Sequence, residues 1–384
     1  MSYLDKLPPT QPDPAFSIVA AYEAYAYEKK VGLCPGFYRD ENAKPWILHS
    51  VAQAKERIHA NPSLNHEHLP LTGHPGLLRG AQELAFGTTR DLKRVASIQT
   101  VSGTGSNHIA AVFLSSRLEP KTVWISNPSW INHTEVWKLA GPDVQQRFYP
   151  YFDAENFKVN FEGMTETLRK DARKGDWKIV ADICREVGLF AVFDMAYQGF
   201  ASGDLEQDAF AITHFYDTLD MEFAIAQSFS KKFGLYGDRV GVPHVVAPDA
   251  KTVENTTPLL TQISRAEITS CPSYGARIVA EILGDSSLFK QWLKDLVEMS
   301  ERMKSMRLSL YQGLERRKVQ GSWEHLLSDI GMFSMTRLSR AQVAELREKH
   351  HIYLLPSGRL SVTGLTSKNV ETVAAALHDI LGSE

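Results

Sequence analysis

Lys231 stands just past an apolar run in SFSKKFGLYGDRVG (228–241), with Ser228, Ser230 and Arg239 close by in the chain. A lysine leaving an apolar strand can be desolvated enough to shed its proton near neutral pH, and the uncharged amine is the nucleophile that Schiff-base chemistry with a carbonyl requires. The same spacing describes a solvated lysine pair at a strand end, the commoner fate of lysine. In FDMAYQGFASGD, 37 residues earlier, Asp194 and Tyr197 stand at the end of another apolar run. A carboxylate there can hold the proton of a pyridinium ring, and a phenol can hydrogen-bond a ring oxygen. The alternative is a strand-terminal Asp that caps the next turn.

Upstream, VSGTGSNHIAAVFL sets Ser102, Gly103, Thr104 and Gly105 directly before an apolar-periodic stretch. Small residues let backbone N–H groups approach an anion, and a helix N-terminus adds a favourable dipole, so this is a candidate phosphate cradle. Any Ser/Gly-rich N-cap looks similar, and no GK[ST] follows that would make it a Walker A loop. Amine, carboxylate, phenol and phosphate cradle are together the set that pyridoxal phosphate asks of a protein. Arg359 in PSGRLSV and Arg265 ahead of a loop add two guanidinium forks. Two forks on one substrate would select a dicarboxylate, although each taken singly is also an ordinary surface salt-bridge residue. His66, His68 and His74 in NHEHLPLTGH lack the H-E-x-x-H spacing of a helical metal site, and no metal is expected.

These residues need elements to position them. Short apolar runs, TVWIS (122–126), LFAVFD (189–194) and FAIAQSFS (223–230), alternate with helical patterns, which predicts an α/β fold with a mainly parallel sheet whose strand ends carry the chemistry. A helical pattern covers about 16–30, another runs from Tyr274 past Gln312, and the C-terminal part reads as a small α+β domain that the N-terminal segment joins. The expected division is 1–45 for the N-terminal arm and part of the small domain, 46–300 for the large domain and 301–384 for the small C-terminal domain. The 384 residues carry 42 Lys+Arg against 45 Asp+Glu, a net charge of −3 without a basic block. Nucleic acid is therefore an unexpected partner. Three scattered cysteines, no apolar run of membrane length and no targeting pattern in MSYLDKLPPTQPDP point to a cytoplasmic protein away from membranes.

Taken together, GFYRDENAKPW, SGTGSNH, NPSWINHTEVW, FDMAYQGFASGD, QSFSKKFGLYGDRVG, ARIVAEIL, GMFSMT and HHIYLLPSGRLSVTGL resemble the aspartate aminotransferases among the class I, fold-type I enzymes that use pyridoxal phosphate, colinearly over nearly the whole chain. The resemblance implies a homodimer with shared active sites, acting on small-molecule amino acid and 2-oxo acid substrates. Lys231 would form the Schiff base and shuttle the α-proton, Asp194 would pair with the pyridine nitrogen and Tyr197 with the ring oxygen. Trp130 would stack on the ring and contact substrate, with His133 buttressing Asp194. Ser102, Gly103, Thr104, Ser228 and Arg239 would hold the phosphate. Arg359 would clamp the substrate α-carboxylate with Gly36 nearby, and Arg265 would reach in from the second subunit to the side-chain carboxylate.

The sequence departs from the family pattern in places. Where the family has a core strand and an N-P-T-G loop, RKDARKGD runs straight into Trp177. Roughly twenty residues are absent between Asp176 and Trp177, enough for a strand of ~5 residues with its loop. A skipped exon or gene-model error explains this, as does a remodelled site. His68 stands where a family tyrosine reaches the partner's phosphate, Cys34-Pro35 precedes Gly36, and TSCPSYG (269–275) replaces an SNPP-type loop. Three functions follow: aspartate:2-oxoglutarate transamination, a catalytically impaired homologue that dimerises or holds cofactor, and transamination of aromatic or kynurenine-type donors.

Overall fold

The computed structural model describes residues 5–7, 9, 13–34, 36–169 and 177–383. The junction at 170–176, where the resemblance expects the N-P-T-G segment, lies outside the described residues, as does Pro35. The chain forms two compact units, Ile47–Ser300, and Met1–Trp46 with Glu301–Glu384.

In the larger unit, strands β1 (Val95–Ser97), β2 (Thr100–Val101), β3 (Thr122–Asn127), β4 (Gln145–Pro150), β5 (Ala191–Met195), β6 (Phe223–Ser228) and β7 (Val240–Val246) alternate with helices that include α1 (Ser102–Ser115), α2 (Ile131–Ala140) and α3 (Ala250–Ile268). β7 lies between β6 and the β1/β2 edge and runs antiparallel to all three, whereas β5 and β6 are parallel. Four of these five strands therefore point the same way. Period-two side-chain alternation sends Phe223, Ile225 and Val246 into a cluster with Phe86 and Phe215, and sends Ala224 and Val245 into another with Ile98, Ile109 and Leu260. Both faces of the sheet are thus covered, which is why β6 reads as an almost unbroken apolar run and is buried at every residue.

Among the described residues the sheet is not continued beyond β5. β3 and β4 form a separate parallel pair with Thr122 opposite Gln145. Among the described residues, no strand pairs with β5 on the side away from β6, or with β3 on the side away from β4. Residues of both β3 and β5 line a cavity of about 1150 Å³. The chain between β4 and β5 contains the 170–176 junction.

The smaller unit joins both chain ends, because Val31–Gly32 pairs with Ile352–Tyr353, while Phe333–Met335 pairs with Arg359–Ser361. Leu33, Leu310, Trp323, Leu346, Leu360 and Leu377 form its core. Two helices differ from the sequence expectation. The pattern from Tyr274 is two helices, Tyr274–Gly284 and Ser286–Arg316, because Asp285 Oδ1 accepts from the N–H groups of Ser287 and Leu288 (2.9 Å each) and caps a new start. The N-terminal helix spans Pro14–Ala24 and stops where Tyr25 turns extended, short of Lys30. Among the described residues, no helix is long and apolar enough to cross a membrane.

Candidate active site

Strand register brings the sequence motifs together. Asp194 pairs with Ala226, Gly241 with Ser228 and Val240 with Val101, so the ends of β5 and β6, the start of β7 and the N-terminus of α1 converge. Ser102 and Arg239 meet there backbone to backbone, with the Ser102 N–H donating to the Arg239 carbonyl (3.0 Å). Both are non-glycine residues in the left-handed region, at φ +68° and +54°. Such residues cost about 1–3 kcal/mol each and persist where surrounding bonds over-determine them. Here Arg239 Nη2 donates to Ser102 Oγ (2.5 Å) and Nη1 to the Tyr236 carbonyl (2.7 Å). Two glycines permit the close approach: a Cβ on Gly241 would lie 2.2 Å from the Ser102 carbonyl oxygen, and one on Gly103 would lie 2.6 Å from Ser228 Cβ. The hydroxyls of Ser102 and Ser228, the Arg239 guanidinium and the opening turn of α1 at Gly103 and Thr104 form a cradle for an anion.

Across from it stands Asp194. Its Oδ2 accepts from Asn107 Nδ2 (3.1 Å) and from His133 Nε2 (2.9 Å). The same Asn107 amide donates to the Gly103 carbonyl (3.0 Å), so one side chain fixes the spacing between cradle and carboxylate. The other ring nitrogen, His133 Nδ1, meets Ser129 Oγ at 2.8 Å, and Ser129 Oγ in turn accepts from Ser126 Oγ (3.1 Å). Trp130 sets its ring edge-on to His133, with centroids 5.3 Å apart, and remains exposed.

The Lys231 ammonium lies 5.1 Å above the Tyr197 ring. Burial lowers the pKa of its amine, Asp194 opposes that shift and Arg239 adds to it. The solvated lysine pair is thereby excluded, since Lys231 is half-buried and Lys232 is fully buried. Depressed amine, braced carboxylate and glycine-lined anion cradle together match the donor set of pyridoxal phosphate.

The remaining sequence candidates stand on other elements. His68 is exposed in the loop before Pro75, and Arg265 is exposed in the last turn of α3. Gly36 and Arg359 belong to the smaller unit, where both meet Phe333: the guanidinium lies 4.1 Å over its ring, and a Cβ on Gly36 would come within 2.9 Å of it. Sequence reasoning missed Asn107 and Ser129. Asn107 carried a usable signal, because asparagine inside a helix competes with the backbone for hydrogen bonds and calls for a specific partner. Ser129 carried none.

A family model described as aminotransferase class I and II matches residues 28–377. The cytoplasmic aspartate aminotransferase of Schizosaccharomyces pombe is 39% identical over 391 residues, covering 95% of this chain and 95% of the relative. The structure of the aspartate aminotransferase from Saccharomyces cerevisiae cytoplasm aligns with a TM-score of 0.94 at 36% identity, covering 99% of this chain and 98% of that one. The aromatic-amino-acid aminotransferase of Burkholderia pseudomallei, solved covalently bound to pyridoxal phosphate, aligns with a TM-score of 0.93 at 30% identity, covering 99% and 100%.

Proposed function

The chain belongs to the class I and II aminotransferases, and from that premise we propose that it transfers the amino group of L-aspartate to 2-oxoglutarate, giving oxaloacetate and L-glutamate in two alternating half-reactions. It is a transaminase dependent on pyridoxal phosphate, in keeping with the aminotransferase names of its relatives and with the cofactor bound in the Burkholderia pseudomallei neighbour. When bound, the cofactor supplies an electron sink for the substrate α-carbon.

The chain's own residues do the rest. Lys231 would hold the cofactor through its amine and, when free of it, would move the substrate α-proton as a general base. Burial prepares it for both tasks by disfavouring the ammonium form. Asp194 holds the ring-nitrogen proton, and His133 and Asn107 hold Asp194. Tyr197 donates to the ring oxygen, and Trp130 covers the ring. Ser102, Gly103, Thr104, Ser228 and Arg239 bind the phosphate. Arg359, with Gly36 beside it, takes the α-carboxylate. Arg265 and His68 act across a homodimer interface, on the side-chain carboxylate and the phosphate respectively. A clamp such as Arg265 suits an anionic side chain and gives little to a neutral aromatic one. The proposed location is the cytoplasm, in keeping with the names of the two yeast relatives.

The observation that carries this reading is the depressed Lys231 amine over Tyr197, facing an Asp194 braced from two sides. The test is to add pyridoxal phosphate to the purified chain and follow the visible absorption band. A band that bleaches on adding aspartate is expected; no band, or one indifferent to both aspartate and glutamate, overturns it. The ratio of kcat/KM for aspartate to that for phenylalanine decides between acidic and aromatic donors.

A further inference from the structure

Lys232 is wholly buried, and among the described residues it forms no ion pair. Its Nζ donates to Gln198 Oε1 at 3.1 Å and lies 4.9 Å over the Phe229 ring. Gln198 is committed as well, since its Nε2 donates to the carbonyls of Leu84 (2.6 Å) and Leu205 (3.2 Å). The backbone at Lys232 is pinned from a third direction by Trp292 Nε1, which donates to its carbonyl at 2.8 Å while the indole stacks on Phe233 with centroids 4.6 Å apart.

Burying an ammonium without a carboxylate is unfavourable. Burial pushes this amine down to about 7, and burial together with Lys232 pushes the neighbouring His244 down to about 3. A methionine would fill the same space without that burden. What lysine adds is a donor for one particular acceptor. The two residues so joined, Lys232 and Gln198, are the immediate chain neighbours of Lys231 and Tyr197, whose side chains meet at 5.1 Å.

We infer that Lys232 is a positioning residue: its bond to Gln198 ties together, behind the site, the turn that carries Lys231 and the turn that carries Tyr197, and so sets where the reacting amine sits relative to the phenol. The inference rests on Lys231 being the Schiff-base lysine. Displacing a reacting group by about 1 Å can lower rate by ~100-fold, whereas substrate binding does not pass through this link.

The experiment compares Lys232→Met, Gln198→Met and the double variant, each loaded with pyridoxal phosphate. Lys232→Met is expected to lower kcat for aspartate by ~10-fold with KM changed less than about twofold, and to move the pH midpoint of the visible band. The double variant is expected to lose no more than Gln198→Met alone, as residues acting through one bond are not additive. Lys232→Gln, with a shorter polar head, should fall between the unaltered chain and Lys232→Met, and serves if Lys232→Met does not fold. Unchanged kcat and midpoint in the Lys232 variants, or losses that multiply in the double variant, overturn the inference. A visible band that survives in Lys231→Ala would instead overturn the assignment of Lys231, whatever the Lys232 variants show.

Discussion

The two flanks of the site are held by different means. On one flank, β6, β7 and α1 set Ser228, Arg239 and Ser102 by backbone register, glycine-only approaches and burial, and Ser102 and Ser228 are almost inaccessible. On the other, Asp194 sits on a strand with no outer neighbour among the described residues, and its partner His133 belongs to α2, beyond the cavity-lining strand β3. Here side-chain hydrogen bonds, Asn107 to Asp194 and Ser129 to His133 to Asp194, do what the ladder does on the first flank. Backbone register and close packing dominate on the first flank, so it should fail through packing and the second through lost polar contacts.

Five substitutions test that contrast. Lys231→Ala removes the amine common to both flanks and should reduce the aspartate half-reaction by ~10⁴-fold or more, with loss of the visible band. On the open flank, Asp194→Asn keeps the shape and removes the charge, and kcat/KM should fall by ~10³-fold. Effects should decline outward along the relay, with His133→Ala below Asp194→Asn and Ser129→Ala below His133→Ala in steady-state assays. On the closed flank, Gly241→Ala forces a methyl against the Ser102 carbonyl oxygen and should lower stability by ~1–3 kcal/mol, read as a fall in Tm with weakened cofactor retention. His133→Ala should leave Tm nearly unchanged; an equal fall in both would erase the distinction.

The buried turn behind Lys231 is tested by a pH slope. Burial moves the Lys232 amine from its ordinary 10.5 to about 7, so between those values the unfolded chain binds more protons than the folded one. The cost to stability is therefore full below about pH 7 and disappears as pH rises towards 10.5. Thermal unfolding of Lys232→Met and the unaltered chain at pH 7 and pH 10 should show the difference moving in favour of the unaltered chain at the higher pH.

How much of this was legible in the sequence depends on the range of the signal. Asp194, Tyr197, Ser228 and Lys231 were legible because each follows a short apolar run, and a parallel α/β arrangement collects strand ends on one side. Ser102 was legible from the small residues ahead of a helix. The Asp285 cap was obscured because Ile278, Ile282, Leu288 and Trp292 keep an apolar rhythm through the break, although Gly284-Asp285 is itself a stop and start signal. Lys232 was illegible: two adjacent lysines read as solvated, and only the packing of Phe229, Phe233 and Trp292 around the turn buries one of them. Gly36 and Arg359 stand far apart in sequence and both meet Phe333, Arg359 through the pairing of Phe333–Met335 with Arg359–Ser361.

Among the described residues no strand pairs with the outer edges of β3 and β5, which has a consequence for behaviour in solution. A strand edge offers a row of N–H and C=O groups that any extended segment can join, whichever chain supplies it. The exposed valine at 192 gives such a segment apolar surface to rest on. Light scattering across a dilution series should therefore report self-association that grows with protein concentration beyond the proposed dimer, and Val192→Lys, which sets a charge on that edge, should suppress it.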